Sequence, residues 1–254
     1  MIEKWRYLIT ENNSAARNMA IDRAVLVAIS EGLVPPTVRF YTWNPPAISI
    51  GYFQSLEEEV DLKECKKYGV DYVRRITGGG AVFHEHELTY SIIIPESHPK
   101  IPKNIMDSYG NICGAVIKGL KNLGIESKYA PINDIVADGR KISGSAQTRK
   151  FKTVLQHGTV ILDVDVDKMF SLLLVPDEKI RDKIIADVKQ RVTSVKNLIK
   201  DNIDFNTATA SMKKGFENEF NIKLEPGKLT DYEKDLTDKF EKEYFSNPDW
   251  NHKR

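Results

Sequence analysis

Three consecutive glycines, Gly78-Gly79-Gly80, stand between two apolar runs and set the first limit on the fold. Val70–Val73 before them and Leu88–Ile94 after them read as buried strands. Ordering a glycine loses more backbone entropy than ordering any other residue, so such a run between strands needs a reason. The absence of Cβ supplies one, because a ligand can then approach the backbone while its N–H groups point outward. Plain turns and linkers also contain glycine runs. Here Arg74-Arg75 enter the loop and His84 follows it, and guanidinium groups suit phosphate or carboxylate. The stretch is read as an anion-binding loop on a rigid sheet. It is neither a Walker loop, which needs Gly-Lys-Ser/Thr, nor a Gly-x-Gly-x-x-Gly dinucleotide loop.

Around it the 254 residues can hold one large domain, or one large domain plus a small appendage, and the 41% apolar content is ordinary for a globular protein. With 37 basic against 36 acidic residues, no global field marks a nucleic-acid partner. Two cysteines, Cys65 and Cys113, are too few for a disulfide scaffold and fit a reducing compartment. The N-terminus lacks a signal-peptide pattern and no apolar run reaches membrane-spanning length, so the expectation is a cytoplasmic protein without a membrane partner.

In order, Ser14 caps a helix that carries Ile21, Ala24, Val25, Ala28 and Ile29 on a helical period and stops at Gly32. Strands follow at Val38–Tyr41 and Ala47–Ile50. Ser55-Leu56-Glu57-Glu58 reads as a capping box opening a helix to about Tyr68, with Cys65 on its surface or half-buried. After the glycine loop, a long helix runs from about Ile105 to Gly124 with Cys113 inside its apolar stripe. Asp138-Gly139 predicts a hairpin turn between Asp134–Ala137 and Arg140–Ser143, and Val154–Leu162 is a further strand. Beyond Asp163 the chain turns helical and charged. Phe205, Met212, Phe216 and Phe220 form one amphipathic face, and Tyr232, Leu236, Phe240 and Tyr244 another, opened by the Thr230–Glu233 capping box. Antiparallel hairpins with helices before and after them imply an α+β fold, with mainly antiparallel or mixed sheets flanked by helices.

Candidate chemistry gathers in two more places. Lys141 follows the Asp-Gly turn and precedes the small-residue run Ser143-Gly144-Ser145-Ala146. Asn133-Asp134 at the hairpin entrance supplies an amide and a carboxylate, suited to ribose or base contacts and to Mg²⁺, or simply to a turn cap. His157-Gly158-Thr159 interrupts a β-branched strand, and a mid-strand glycine suggests that something packs close against the sheet.

These motifs together resemble the lipoate–protein ligase A family, within the wider group of biotin and lipoate protein ligases. Members of that family carry an Arg-Arg-x-x-Gly-Gly-Gly-Ala-Val-x-His loop, an Asn-Asp pair, a Lys-x-x-Gly-Ser-Ala segment and a His-Gly-Thr strand. The likeness runs from about Asn18-Met19-Ala20 to Val175-Pro176. It implies the catalytic-domain fold of that group and an ATP-dependent reaction in which lipoate is activated as lipoyl-AMP. The lipoyl group then passes to a lysine of a carrier, an E2 lipoyl domain or the glycine-cleavage H protein. On the resemblance, Lys141 is the catalytic cation. Arg75, Thr77, Gly78, Gly79, Gly80, Val82, His84, Asn133, Asp134, Ser143, Gly144, Ala146, His157, Gly158 and Thr159 hold substrate and ATP, Asp134 helps hold Mg²⁺, and Trp43 lines the acyl slot.

Two features depart from the family pattern. Family relatives include octanoyltransferases that use a cysteine thioester instead of ATP, and these place the cysteine shortly before the Lys-containing hairpin. Here Tyr129–Asp134 has none, which favours the ligase. Complete ligases also carry a small C-terminal domain. Residues 1–254 read as one catalytic domain, its helical segment from about 165 to 254 packed on it, without that accessory domain. A separate small protein is therefore expected to replace it. The octanoyl or lipoyl transferase, and a binding protein for lipoyl-adenylate or a lipoyl domain, remain as alternatives.

Overall fold

The computed structural model describes residues 2–174 and 181–254, so the far end of the family likeness, Val175-Pro176, lies outside the described residues. Among the described residues, eleven strands and ten α-helices follow one another along the chain, beginning with β1 (Glu3–Asn13), α1 (Ala15–Ser30), β2 (Thr37–Trp43), β3 (Ala47–Ile50), α2 (Leu56–Glu59), α3 (Leu62–Tyr68) and β4 (Asp71–Arg74). Next come β5 (Val82–His84), β6 (Glu87–Pro95), α4 (Ile105–Asn122), β7 (Lys128–Ala130), β8 (Asp134–Ala137), β9 (Arg140–Lys150) and β10 (Thr153–Ile161). The remainder holds α5 (Val166–Leu172), α6 (Arg181–Arg191), α7 (Val195–Ile199), α8 (Phe205–Phe220), β11 (Ile222–Pro226), α9 (Asp231–Phe240), a π-helical turn Glu241–Phe245 and α10 (Pro248–Asn251).

An eight-stranded sheet runs in the order β11-β1-β2-β6-β10-β9-β8-β7, and a small sheet runs β4-β3-β5. The expected α+β class with mixed sheets is the observed one. Parallel pairing occurs between β1 and both β11 and β2, and between β3 and β4; the others are antiparallel. Both faces of the central strands are buried, because helices cover both sides. Tyr90, Ile92 and Ile94 of β6 pack with Val116 of α4 and Phe216 of α8. Ile93, on the opposite face, packs with Ile21 and Val25 of α1. The α1 face, facing the small sheet, holds the site.

Local signals account for most ends. The Ser14 hydroxyl accepts from Arg17 N at 3.2 Å and Gly32 takes φ +72° after α1. The Thr230–Glu233 capping box opens α9. The turn at Asp138-Gly139 has φ values of +50° and +72°, the left-handed pair that a two-residue hairpin requires. Three expectations need correction. Ser55 makes no side-chain cap, and the segment to Tyr68 is two short helices, the second capped by Asp61 through Lys63 N and Glu64 N at 3.0 Å. Cys65 is 1% exposed, because α3 turns it into the cluster formed by Ile48, Ile50, Leu56 and Leu172. β1 has no counterpart in the sequence pattern, since its burial does not alternate cleanly. No helix among the described residues is long and apolar enough to cross a membrane.

Candidate active site

A cavity of about 310 Å³ opens between the α1 face of the large sheet and the small sheet. Met19 of α1, Tyr41 and Trp43 of β2, Val82 and His84 of β5, and Ile161 of β10 form much of its wall. The β8–β9 hairpin supplies Lys141 and Gly144, and Met169 and Val192 close the side beyond Asp163.

The two arginines at the glycine loop turn out to be internal braces. Arg74, fully buried, donates to the carbonyls of Gly51, Tyr52, Gln54, Trp250 and Asn251 and so has no donor directed at a ligand. Arg75 donates to Gly78 O and Gly80 O at 2.8 Å, which pulls the loop carbonyls inward. Burial pulls the Arg75 guanidinium down to about 10, which still leaves it charged at neutral pH. The expectation of two free anion-binding guanidiniums is thus corrected, because carbonyls take the donors of Arg74, and carbonyls together with the Ser49 and Thr77 hydroxyls take those of Arg75. Gly79 and Gly80 are exposed at the cavity edge, and only Gly79 needs glycine for its φ of +96°.

Arg75 is also the hub of two relays with the same composition. Its Nη1 donates to Ser49 Oγ at 3.2 Å, and its Nε donates to Thr77 Oγ1 at 3.1 Å. Ser49 lies 2.8 Å from His84 Nε2, and Thr77 lies 2.7 Å from His157 Nε2. The far nitrogens face carboxylates, His84 Nδ1 at 2.6 Å from Glu87 and His157 Nδ1 at 3.4 Å from Asp22. A carboxylate on Nδ1 holds the proton there, so each Nε2 accepts from a hydroxyl. Burial pulls the His157 imidazole below its usual pKa against the attraction of Asp22. Burial alone would raise Asp22, but Arg39 at 2.7 Å and His157 hold it below the usual carboxylate range. Trp43 stacks on His84 at 4.0 Å and donates to Thr89 Oγ1 at 2.8 Å, fixing an apolar wall.

Lys141 is the expected cation that faces the cavity without having its donors taken by the glycine loop. Its Nζ lies 2.7 Å from Asp134 Oδ1, an ion contact outside good hydrogen-bond direction. A Cβ on Gly144 would come within 2.8 Å of Lys141 Cε, so the small residue three positions on makes room for the side chain. Thr193 N donates to Lys141 O at 2.8 Å, tying the hairpin to the segment after α6. Asn133 Nδ2 donates to Ser145 O at 2.6 Å, so this amide locks the hairpin while facing the cavity. Gly158 admits the protein itself: a Cβ there would lie 2.7 Å from Gly144 O and 2.9 Å from Tyr90.

The residues do not suit a resident Mg²⁺. Asp134 is a single carboxylate already paired with Lys141, and no group of three or more His, Cys, Asp or Glu among the described residues could hold a metal. No cysteine lines the cavity either. Cys113 lies behind its wall, 3.9 Å from Ser145 Oγ, and burial pushes its thiol up to about 11. Cys65 belongs to another cluster, and burial with Asp61 and Glu64 raises its thiol to about 11 as well.

Of the expected site residues, Trp43, Arg75, Gly79, Gly80, Val82, His84, Asn133, Lys141, Gly144, Ala146, His157, Gly158 and Thr159 line the cavity. Thr77, Gly78, Asp134 and Ser143 stand behind it, Ser143 fully buried. Sequence reasoning missed Ser49, Glu87 and Asp22. Asp22 and Arg39 carried a signal, a charged residue on an otherwise apolar helix face and another inside an apolar strand.

Residues 14–217 match the family model described as the lipoyl protein ligase A/B catalytic domain. The chain belongs to that family. It is an enzyme of the lipoate ligase and transferase group, with the catalytic-domain fold expected from its motifs. The octanoyltransferase LipM of Brevibacillus brevis is 38% identical over 276 aligned positions, covering all of both chains. That of Clostridioides difficile is 39% identical over 272 positions, again covering all of both. Because the first alignment is longer than the 254 residues here, that relative carries segments this chain lacks. Among solved structures, a bi-partite lipoate protein ligase from Thermoplasma acidophilum, studied with its E2 lipoyl domain, superposes with a TM-score of 0.90 at 29% identity, covering 98% of this chain and 96% of that one. Lipoate-protein ligase A bound with ATP gives 0.85 at 27%, covering 98% of each. The expectation of an ATP-dependent lipoate ligase is overturned by the full-length octanoyltransferase relatives, and ATP and Mg²⁺ lose their support with it. No comparison shows a separate accessory protein for this chain.

Proposed function

We propose that this chain is an acyltransferase that moves an octanoyl group, or its lipoyl counterpart, from a carrier-borne thioester to the lysine ε-amine of a lipoyl carrier domain. The observation that carries the reading is an apolar cavity with Lys141 at its polar edge, in a chain matched end to end by octanoyltransferases. Met19, Trp43, Val82, Phe83 and Met169 offer the acyl tail an apolar lining. The thioester carbonyl then lies at the rim, between Lys141 and the backbone of Gly79–Gly80.

The acceptor amine attacks the carbonyl carbon, a C–N bond forms, and the C–S bond breaks. The thiol leaves with the proton that the amine gives up. Negative charge on the carbonyl oxygen in the tetrahedral stage is met by the Lys141 ammonium and by outward amides of the glycine loop. With both cysteines off the cavity wall, transfer is direct and passes through no acyl-enzyme. Asp134 keeps Lys141 aimed, and the two histidine relays keep Arg75, and through it the loop, in place. Residues 1–254 act as one catalytic domain in this reading, with Met169 and Val192 of the later segment closing the cavity.

Thiol release from an octanoyl-thioester carrier, followed with a thiol-reactive dye, tests it. Release that begins only when the unmodified lipoyl domain is added supports direct transfer. A burst of thiol without acceptor, equal to the enzyme present, would contradict it.

A further inference from the structure

The surface beside the glycine loop carries charge that the transfer chemistry does not use. The β9–β10 turn exposes Lys150, Phe151 and Lys152, with Phe151 63% accessible. The neighbouring loop exposes Phe53 at 70%, and the two are joined through Tyr52, whose ring lies 5.2 Å from Lys150 Nζ and 3.4 Å from Lys253 Nζ. Arg254 adds a guanidinium 5.3 Å from the Phe53 ring. Among the described residues, none of Lys150, Lys152, Lys253 and Arg254 has an ion-pair partner. Nearby Glu57 is held by His252 at 2.5 Å and Glu96 by Arg149 at 2.9 Å, while Glu58 lies further along α2. Burial, then Arg74, Arg254 and Lys150, pull Lys253 down to about 8, as expected of cations crowded without an anion.

The patch adjoins the reaction rim. Tyr52 N donates to Thr77 O at 2.8 Å, and a Cβ on Gly51 would fall 1.9 Å from Gly79 O, so this loop is packed directly against the glycine loop.

We propose that Lys150, Lys152, Lys253 and Arg254, around exposed Phe53 and Phe151, dock the carrier domain that brings the acceptor lysine, through an acidic surface of that domain. The proposal rests on the acyl-transfer reading. Two exposed aromatics ringed by cations have the apolar centre and charged rim of a protein interface. Positive potential draws in an acidic surface and also favours the neutral, nucleophilic form of an incoming lysine amine. A donor carrier docked there instead would make the charge-reversed variant slower with a small acceptor as well as with the domain.

The experiment compares wild type with the variant K150E/K152E/R254E, using an unmodified lipoyl domain titrated by its amide resonances. The expected result is a Kd at least about tenfold weaker in the variant, and a wild-type Kd that weakens as salt is raised. Hydroxylamine, used as a small acceptor, should be acylated at equal rates by both proteins, showing an intact cavity. An unchanged Kd in the variant, or no salt dependence in the wild type, overturns the docking site. Salt-dependent binding without any acyl transfer would sustain the docking site and remove the transferase reading instead.

Discussion

The ε-carbon of Lys141 occupies the space that a Cβ on Gly144 would need, at 2.8 Å. The lysine and the glycine three positions later are one device: the cation can fold back to Asp134 because residue 144 has no side chain. Gly144→Ala should therefore displace Lys141 at little structural cost, since the crowded atom ends a flexible chain. We expect kcat to fall about tenfold or more with a stability change under about 1 kcal/mol. Steady-state kinetics and thermal melting check both.

Lys141→Ala should lower kcat by about 10²–10³, the range for loss of one oxyanion donor, without unfolding the protein. Lys141→Arg should recover little, because a planar fork does not fit a space shaped for a compact ammonium. Near wild-type turnover in Lys141→Ala would move the oxyanion site elsewhere.

The glycines of the loop should separate. Gly80→Ala meets open space and should leave folding unchanged, whereas Gly79→Ala must adopt φ +96° and should lose about 1–2 kcal/mol. Denaturant midpoints of the two variants report the difference.

Asp22→Asn leaves the Arg39 guanidinium, 0% exposed, without its counter-charge and should cost about 3–5 kcal/mol. His157 contributes a pH dependence of known sign. Its folded pKa is lowered, so the unfolded chain binds the proton more readily. Stability should hold above the unfolded value of about 6.5 and decline as pH falls below it. His157→Gln should flatten that decline in denaturation curves taken between pH 5 and 8.

The cysteines give the opposite slope. Both thiols lie at about 11 when folded, against about 8.5 in the unfolded chain. Their stabilising effect is complete below about pH 8.5 and is lost as pH rises toward 11. Cys65→Ser and Cys113→Ala should keep acyl transfer, each with a packing penalty of about 1 kcal/mol or more. Loss of transfer in a folded single-cysteine variant would point to an acyl-enzyme.

The α+β class, the hairpin at Asp138-Gly139 and the cavity residues Lys141, Gly144 and His157 were legible because each depends on local chemistry: a turn, a missing Cβ, a polar break in an apolar strand. What stayed hidden depends on partners distant in sequence. Arg74 and Arg75 look like ligand cations until Trp250, Asn251 and the loop carbonyls are seen to take their donors. Cys65, among lysines and glutamates, looks exposed until α3 is placed against the small sheet. The acyl donor is not legible either: the motifs shape a cavity and a loop that ligases and transferases share, and the missing cysteine in Tyr129–Asp134 points to the ligase while the full-length relatives are octanoyltransferases.

The most direct test of the acyl-transfer account is intact mass spectrometry of an unmodified lipoyl domain incubated with the purified protein. One sample contains octanoyl-acyl carrier thioester and no ATP, and the other contains free octanoate with ATP and Mg²⁺. The account predicts a single octanoyl mass on the domain in the first sample and none in the second; modification confined to the second would contradict it.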